Sequence, residues 1–103
     1  MTARIMPAAP LHPDDLVSRR PEEDAVEVGG RWVLIGVEQG DYVELNAIGV
    51  QIWSRIAEER SIAALAAEIA ALYGAEVATV EADVSSFVAQ LRVQKLVVVR
   101  RPE

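Results

Sequence analysis

The hydrophobic pattern along the chain changes period once it has passed its middle turn. From Ala25 to Val28 apolar and polar residues alternate, and the run stops at Gly29-Gly30. Two adjacent glycines between apolar runs mark a hairpin, because each accepts the positive φ of a tight turn. Arg31 to Val37 is apolar and rich in β-branched and aromatic residues, Glu38 to Asp41 reads as a turn, and Tyr42 to Leu45 alternates again. Short connections favour neighbouring strands, so this block predicts a three-stranded antiparallel meander.

Beyond Asn46 the period is helical. Asn46 is a good N-cap, with a side-chain oxygen that accepts from a free first-turn N–H. Ile48, Ile52 and Ile56 follow at i, i+4 and i+8, with Trp53 beside them. Gly49 inside this helix costs about 1 kcal/mol against alanine and points to close packing on a neighbour. Ser61 caps a second helix whose stripe is Ile62, Leu65, Ala66, Ile69, Leu72 and Tyr73, and Gly74 stands where a C-terminal glycine stop belongs. Thr79 is the expected cap of a third helix, with Glu81 and Asp83 in its first turn and Val80, Val84, Phe87, Val88 and Leu91 as its buried stripe. Leu96 to Val99 is a short apolar tail suited to a strand, and Leu16-Val17 can open another. The fold class is therefore α+β: a three-stranded antiparallel sheet followed by three helices, in a winged helix-turn-helix-like layout. Residues 1–15, with Pro7, Pro10 and Pro13 and no periodicity, read as a flexible N-terminal arm, and residues 16–103 as one domain.

Composition removes most chemistries. The chain has 103 residues, 51% of them hydrophobic, a net charge of -6 and no cysteine. An acidic chain repels phosphate backbones, and the third helix has Arg92 as its one arginine against Glu81 and Asp83, so a DNA-reading helix is disfavoured. Thiol catalysis and zinc–thiolate sites are excluded. His12 has no second histidine to form a metal site or a triad with, and the clusters Asp14-Asp15, Glu22-Glu23-Asp24 and Glu58-Glu59 read as solvated turns and helix ends. Trp32, Trp53 and Phe87 read as core. No phosphate loop or dinucleotide fingerprint is present, so no cofactor is expected and the chain reads as a non-enzyme. The start, MTARIMPAAP, is broken by Arg4 and Pro7 and is no signal peptide, and no apolar run reaches the length of a membrane span, which makes a cytoplasmic protein the expectation.

What remains is a sheet edge. Tyr42 to Leu45 is the last strand of the meander, with no Pro or Lys to block it. An open edge can receive a peptide as an added strand. It can also be covered by the chain's own arm or tail, and the pattern alone leaves both readings open.

The spacing of particular residues adds a resemblance. Tyr42, Leu45-Asn46, Gly49 and Ile52-Trp53, followed by Asp83-Val84, Phe87, Leu91 and Leu96-Val97, with Leu11-His12-Pro13 near the start, resemble in order and spacing the PqqD-like family of stand-alone RiPP recognition elements. One position departs: Lys95 stands where the family commonly has a glycine that stops the third helix. The resemblance implies a domain that binds the leader segment of a ribosomally made precursor peptide. The leader would add antiparallel to the strand Asp41–Leu45 and lie in a groove between it and the helix of about Thr79 to Gln94. On that reading Asp41, Tyr42, Val43, Glu44 and Leu45 supply the strand. Tyr42 and Glu44 share one face, and Val43 and Leu45 line the inner side near Phe87. Asp83 and Gln90, seven apart, sit on one rim and can orient a basic or polar leader residue. The implied partners are the precursor peptide and a leader peptidase, cyclase or radical modifying enzyme, with no nucleic acid and no membrane. The Ile52-Trp53 pair and the Tyr-led strand look more like lasso-type members than the pyrroloquinoline quinone branch. The alternatives are a subunit that tethers a biosynthetic enzyme, a quinone-type peptide chaperone and a winged-helix DNA binder.

Overall fold

A computed structural model describes residues 11–20, 25–35 and 42–102. The meander is present. β2 (Val26–Val28), β3 (Arg31–Ile35) and β4 (Tyr42–Leu45) form an antiparallel sheet in that order. Val28 pairs with Arg31 across Gly29-Gly30, whose φ values of 59° and 84° are those that the turn between such close strands requires. The far end of the expected Arg31–Val37 strand and the Glu38–Asp41 turn lie outside the described residues.

A second sheet exceeds what the pattern predicts. β1 (Leu16–Arg19) lies between β5 (Arg60–Ser61) and β6 (Val97–Arg100), antiparallel to both. Leu16 pairs with Ser61 on one side and Arg100 on the other, so the two short apolar runs expected as possible strands are partners. The expectation of a flexible arm up to residue 15 is corrected for its last residues. The Pro13 carbonyl accepts from Ala63 N–H at 2.9 Å and the Asp15 carbonyl from Ile62 N–H at 3.0 Å, which docks this stretch on the start of the second helix. Residues 1–10 lie outside the described residues.

Asp15 explains the docking. Its carboxylate is buried and accepts from Arg101 Nε at 2.8 Å, Arg101 Nη2 at 3.1 Å and His12 N–H at 2.8 Å. The bidentate Arg101 contact, and then the His12 N–H, hold its carboxyl at about 2, below the ordinary 3.8, against the opposing effect of burial. The folded value is depressed, so the stabilisation is fully present above pH 3.8 and is lost as the pH falls through about 2. Asp15→Asn is therefore expected to lower the urea midpoint at pH 6 and to leave it nearly unchanged at pH 2. An equal drop at both values would show that the carboxylate charge is not what matters.

Three helices pack on the two sheets. α1 (Ala47–Arg55) opens as expected, with Asn46 Oδ1 accepting from Gly49 N–H at 2.8 Å. α2 (Ile62–Tyr73) opens on Ser61, whose Oγ accepts from Ala64 N–H at 3.0 Å, and stops at Gly74 in the left-handed region at φ 65°. α3 (Val77–Val93) differs from its prediction. Its N-cap is Glu76, which makes no side-chain cap bond, and Val80 N–H already bonds the Glu76 carbonyl, so Thr79 lies inside the helix. A threonine cap contributes about 1 kcal/mol, and here extension through the good helix former Ala78 prevails. As a result, Glu81 and Asp83 fall beyond the first turn.

The core is one cluster that takes in Leu34, Val43 and Leu45 from the meander, Ile52 and Trp53 from α1 with Ile56 at its C-cap, Ile62, Leu65 and Ile69 from α2, and Val80, Val84, Val88 and Leu91 from α3. Leu72 and Tyr73, expected in the α2 stripe, are exposed because the core ends at Ile69-Ala70, one turn before the helix does. Trp32 is also no core residue: it is 42% exposed, beside the fully exposed β2. Trp53 is buried, and Arg19 lies 5.2 Å from its ring centre while donating to its carbonyl at 3.3 Å, which fastens β1 to the end of α1.

The Lys95 departure has a clear geometry. Lys95 is the one non-glycine with positive φ among the described residues, at 62°. Its N–H bonds Arg92 O at 3.0 Å, and Leu96 N–H bonds Leu91 O at 3.0 Å, with Leu91 and Leu96 both buried. This is the paired-bond helix stop that ordinarily uses glycine. The chain keeps the stop and carries a Cβ in the left-handed region. Lys95→Gly is expected to raise stability by about 1 kcal/mol, read as a higher denaturant midpoint at unchanged slope. A lowered midpoint would contradict it.

Candidate functional site

β4 is an edge strand, bonded to β3 on one side and to no other strand among the described residues on the other. Its residues alternate as expected: Val43 and Leu45 are buried, Tyr42 and Glu44 exposed. The chain then turns at Asn46 straight into α1, so the strand's end is fixed by a capped helix rather than by a loose loop.

Beside that turn runs a groove of about 340 Å³ between α1 and α3, lined by Asn46, Ile48, Gly49 and Ile52 on one wall and by Asp83, Ser86, Phe87 and Gln90 on the other. Gly49 sets its depth. A Cβ there would lie 3.3 Å from Leu45 Cδ2, from Asn46 Oδ1 and from Phe87 Cζ, tighter than ordinary contact. Glycine therefore lets the Phe87 ring rest against α1 next to the end of β4, which is the close packing expected at this position. Phe87 is half-buried, shared between the core and the groove wall.

Of the residues singled out by sequence, Asp83, Phe87 and Gln90 come together on this one wall. Val43 and Leu45 point into the core rather than into the groove, so what they can offer a ligand is backbone. Tyr42 and Glu44 face outward on the far side of the sheet. Asp41 lies outside the described residues. Asn46, Ile48, Gly49, Ile52 and Ser86 also line the groove, beyond the residues expected there. Ser86 was legible: Asp83, Ser86, Phe87 and Gln90 stand at i, i+3, i+4 and i+7, one face of a helix. The groove's lining is apolar at Ile48, Ile52 and Phe87, offers amide and hydroxyl groups at Asn46, Ser86 and Gln90, and has Asp83 as its one charge. Such a surface can accept an apolar side chain and pair with a cation, and it holds no nucleophile–base set. Among the described residues no group of three or more His, Cys, Asp or Glu could hold a metal ion, and no helix is long and apolar enough to cross a membrane.

A short α+β domain with an open strand edge beside a groove has the arrangement that peptide-binding modules use. Residues 31–97 match the family model described as coenzyme PQQ synthesis protein D (PqqD). The chain belongs to the PqqD family. Curated relatives include the PqqA binding proteins of Xanthomonas oryzae pv. oryzae strains PXO99A and MAFF 311018, each 38% identical over 66 residues, which is 64% of this chain and 70% of theirs. Among solved structures, TbiB1 in complex with the TbiA(beta) leader peptide superposes with a TM-score of 0.64 at 26% identity, covering 78% of this chain and 93% of that one. The PqqD portion of Methylobacterium extorquens PqqCD, a RiPP recognition element, superposes at 0.70 with 16% identity, covering 85% and 94%, and shares the fold.

Proposed function

We propose that this protein is a RiPP recognition element: it binds the leader segment of a ribosomally synthesised precursor peptide and presents the precursor to a modifying enzyme, without catalysing a reaction itself. The observation that carries the reading is the unpaired edge of β4, followed directly by Asn46 in the lining of the groove walled by Asp83, Ser86, Phe87 and Gln90. Added as a strand, the leader would take its backbone bonds from Tyr42 to Leu45, extending to Asp41, and set alternate side chains toward the groove. Because Asn46, Gly49 and Trp53 fix β4 against the helices, the edge is preorganised and little ordering is needed on binding. The relatives support this, since one is named for binding PqqA and another is seen with a leader peptide. The Ile52-Trp53 pair favours a lasso-type pathway and hence a leader peptidase and cyclase as partners over a radical enzyme, whereas the 38% identity to PqqA binding proteins favours the pyrroloquinoline quinone branch as the second reading. The site of action would be the cytoplasm, where precursors are translated.

The test is a titration with the leader half of the precursor encoded beside this protein, read by amide NMR. Shifts are expected on β4 and α3. Leader peptides N-methylated at alternate positions should split into two classes, one losing binding and the other retaining it, because only every second N–H of an added strand faces β4. If methylation at neighbouring positions is equally tolerated, strand addition is wrong even where binding persists.

A further inference from the structure

A strand added to β4 has two faces. The groove meets one of them, and the other lies over the outward side of the meander. Tyr42 and Glu44 are the β4 residues on that side, and the register sets Ile35 opposite Tyr42 and Val33 opposite Glu44. These four, with Arg31, line a shallow hollow of about 670 Å³. Its apolar part borders the open edge: Tyr42 is 69% exposed and Ile35 52%. Single exposed apolar residues are ordinary, but two in register beside an unpaired edge form a platform for a neighbour. Glu44 is the one charge that β4 itself puts on this face. Its Oε2 lies 3.5 Å from Arg31 Nε, on the β3 side, and a carboxylate has a second oxygen that can accept on the edge side.

We infer that β4 reads the outward face of its peptide as well, selecting an apolar residue across from Tyr42 and a cation across from Glu44. The inference rests on the leader reading and concerns side chains that the groove never meets. The meander is antiparallel throughout, and an antiparallel added strand continues it with the more stable bond pattern. Residues directly opposite in such a pair point to the same face. The two chains run in opposite directions, so the residue across from Glu44 precedes the residue across from Tyr42 by two. The bound stretch of leader therefore reads Lys or Arg, then any residue, then an apolar or aromatic residue. The middle residue stands across from Val43 and turns to the inner side. Aromatic–apolar and opposite-charge pairs across strands are favourable, and like charges directly opposite are destabilising. The net charge of -6 adds to the rejection of an acid at the cationic position. β2 takes no part: at about 4.8 Å per strand, Val28 is about 14 Å from an added strand.

The test is calorimetric titration with the leader half of the precursor encoded beside this protein and with an alanine scan of that peptide. The full chain is compared with Tyr42→Ala, Glu44→Lys and, as control, Val28→Thr. All three positions are exposed, and circular dichroism checks each fold. Tyr42→Ala and Glu44→Lys are each expected to weaken binding about fivefold, and Val28→Thr to leave it unchanged. One apolar leader residue should lose its alanine effect on Tyr42→Ala, and the cation two positions before it should lose its effect on Glu44→Lys. Replacing that cation by glutamate should weaken binding to the wild type and restore binding to Glu44→Lys. A leader that binds the full chain and responds to Ser86→Trp in the groove, but to neither Tyr42→Ala nor Glu44→Lys, overturns the inference and leaves the leader reading standing. Sensitive leader positions that are adjacent, or that come in the reverse order, overturn it as well. A leader that does not bind the wild-type chain overturns the leader reading and this inference with it.

Discussion

Ser86→Trp is expected to cost the protein its leader binding. Ser86 is exposed on α3 between Asp83 and Gln90 and lines the groove opposite Ile48 and Ile52. An indole in its place fills space that a leader side chain would occupy, while the helix loses nothing, since tryptophan is about as good a helix former as serine. The affinity should fall by roughly thirtyfold or more, the loss of at least one central contact of about 2 kcal/mol. Stability should stay within about 0.5 kcal/mol of the wild type, because the site is on the surface. Leu72→Trp is the control: it adds the same ring at an exposed position on α2 that does not line the groove, and should leave binding unchanged. Calorimetric titration of both variants reads the difference. Equal binding by the two would remove the groove from the site.

Trp53→Ala is expected to have the largest effect on stability. Trp53 is 3% exposed at the junction of α1, β1 and the core, and carries Arg19 on its ring. Truncating a buried tryptophan costs about 3–5 kcal/mol, a large fraction of the roughly 5–15 kcal/mol that holds a domain folded. The melting midpoint should drop by roughly 15–30 °C. The effect divides into ring and N–H. The buried Nε1 has no hydrogen-bond partner among the described residues, so Trp53→Phe gives up volume but no bond within the protein. That variant should cost less than half as much as alanine. If the two substitutions melt together, the ring is not what anchors α1.

Much of the fold was legible because its signals are local. Asn46 and Ser61 announce helix starts through side chains that act within three residues, and Gly74 announces a helix end through its freedom to take a positive φ; each does so in the structure. The meander was legible for the same reason, through its alternation and its glycine pair. The second sheet was not, since Leu16 must find Arg100 and Ser61, and nothing in the four residues Leu16–Arg19 specifies partners so distant. Thr79 shows the opposite error: a good capping residue is a weak preference, and the helix ran past it. Leu72 and Tyr73 kept the helical period after the core had ended, which periodicity cannot reveal. At the candidate site, one wall was readable as a helix face, whereas the depth of the groove depends on how closely α1 and α3 approach at Gly49, a tertiary fact. Val43 and Leu45 were placed on the correct side of the sheet, but the inner side is filled by the core, which leaves their backbone rather than their side chains for a ligand.

The sheet built from β1, β5 and β6 has an architectural consequence. The described chain enters through Leu11 to Leu16 and leaves through Arg100 to Pro102, and the Asp15–Arg101 pair holds entry and exit side by side. None of these residues lines the groove. The described domain can thus be spliced into a surface loop of a larger protein, or Leu11 and Pro102 can be joined by a short linker and new ends opened elsewhere, without stretching the elements that line the groove. The same unit is suited to stand alone or to be built into a larger protein.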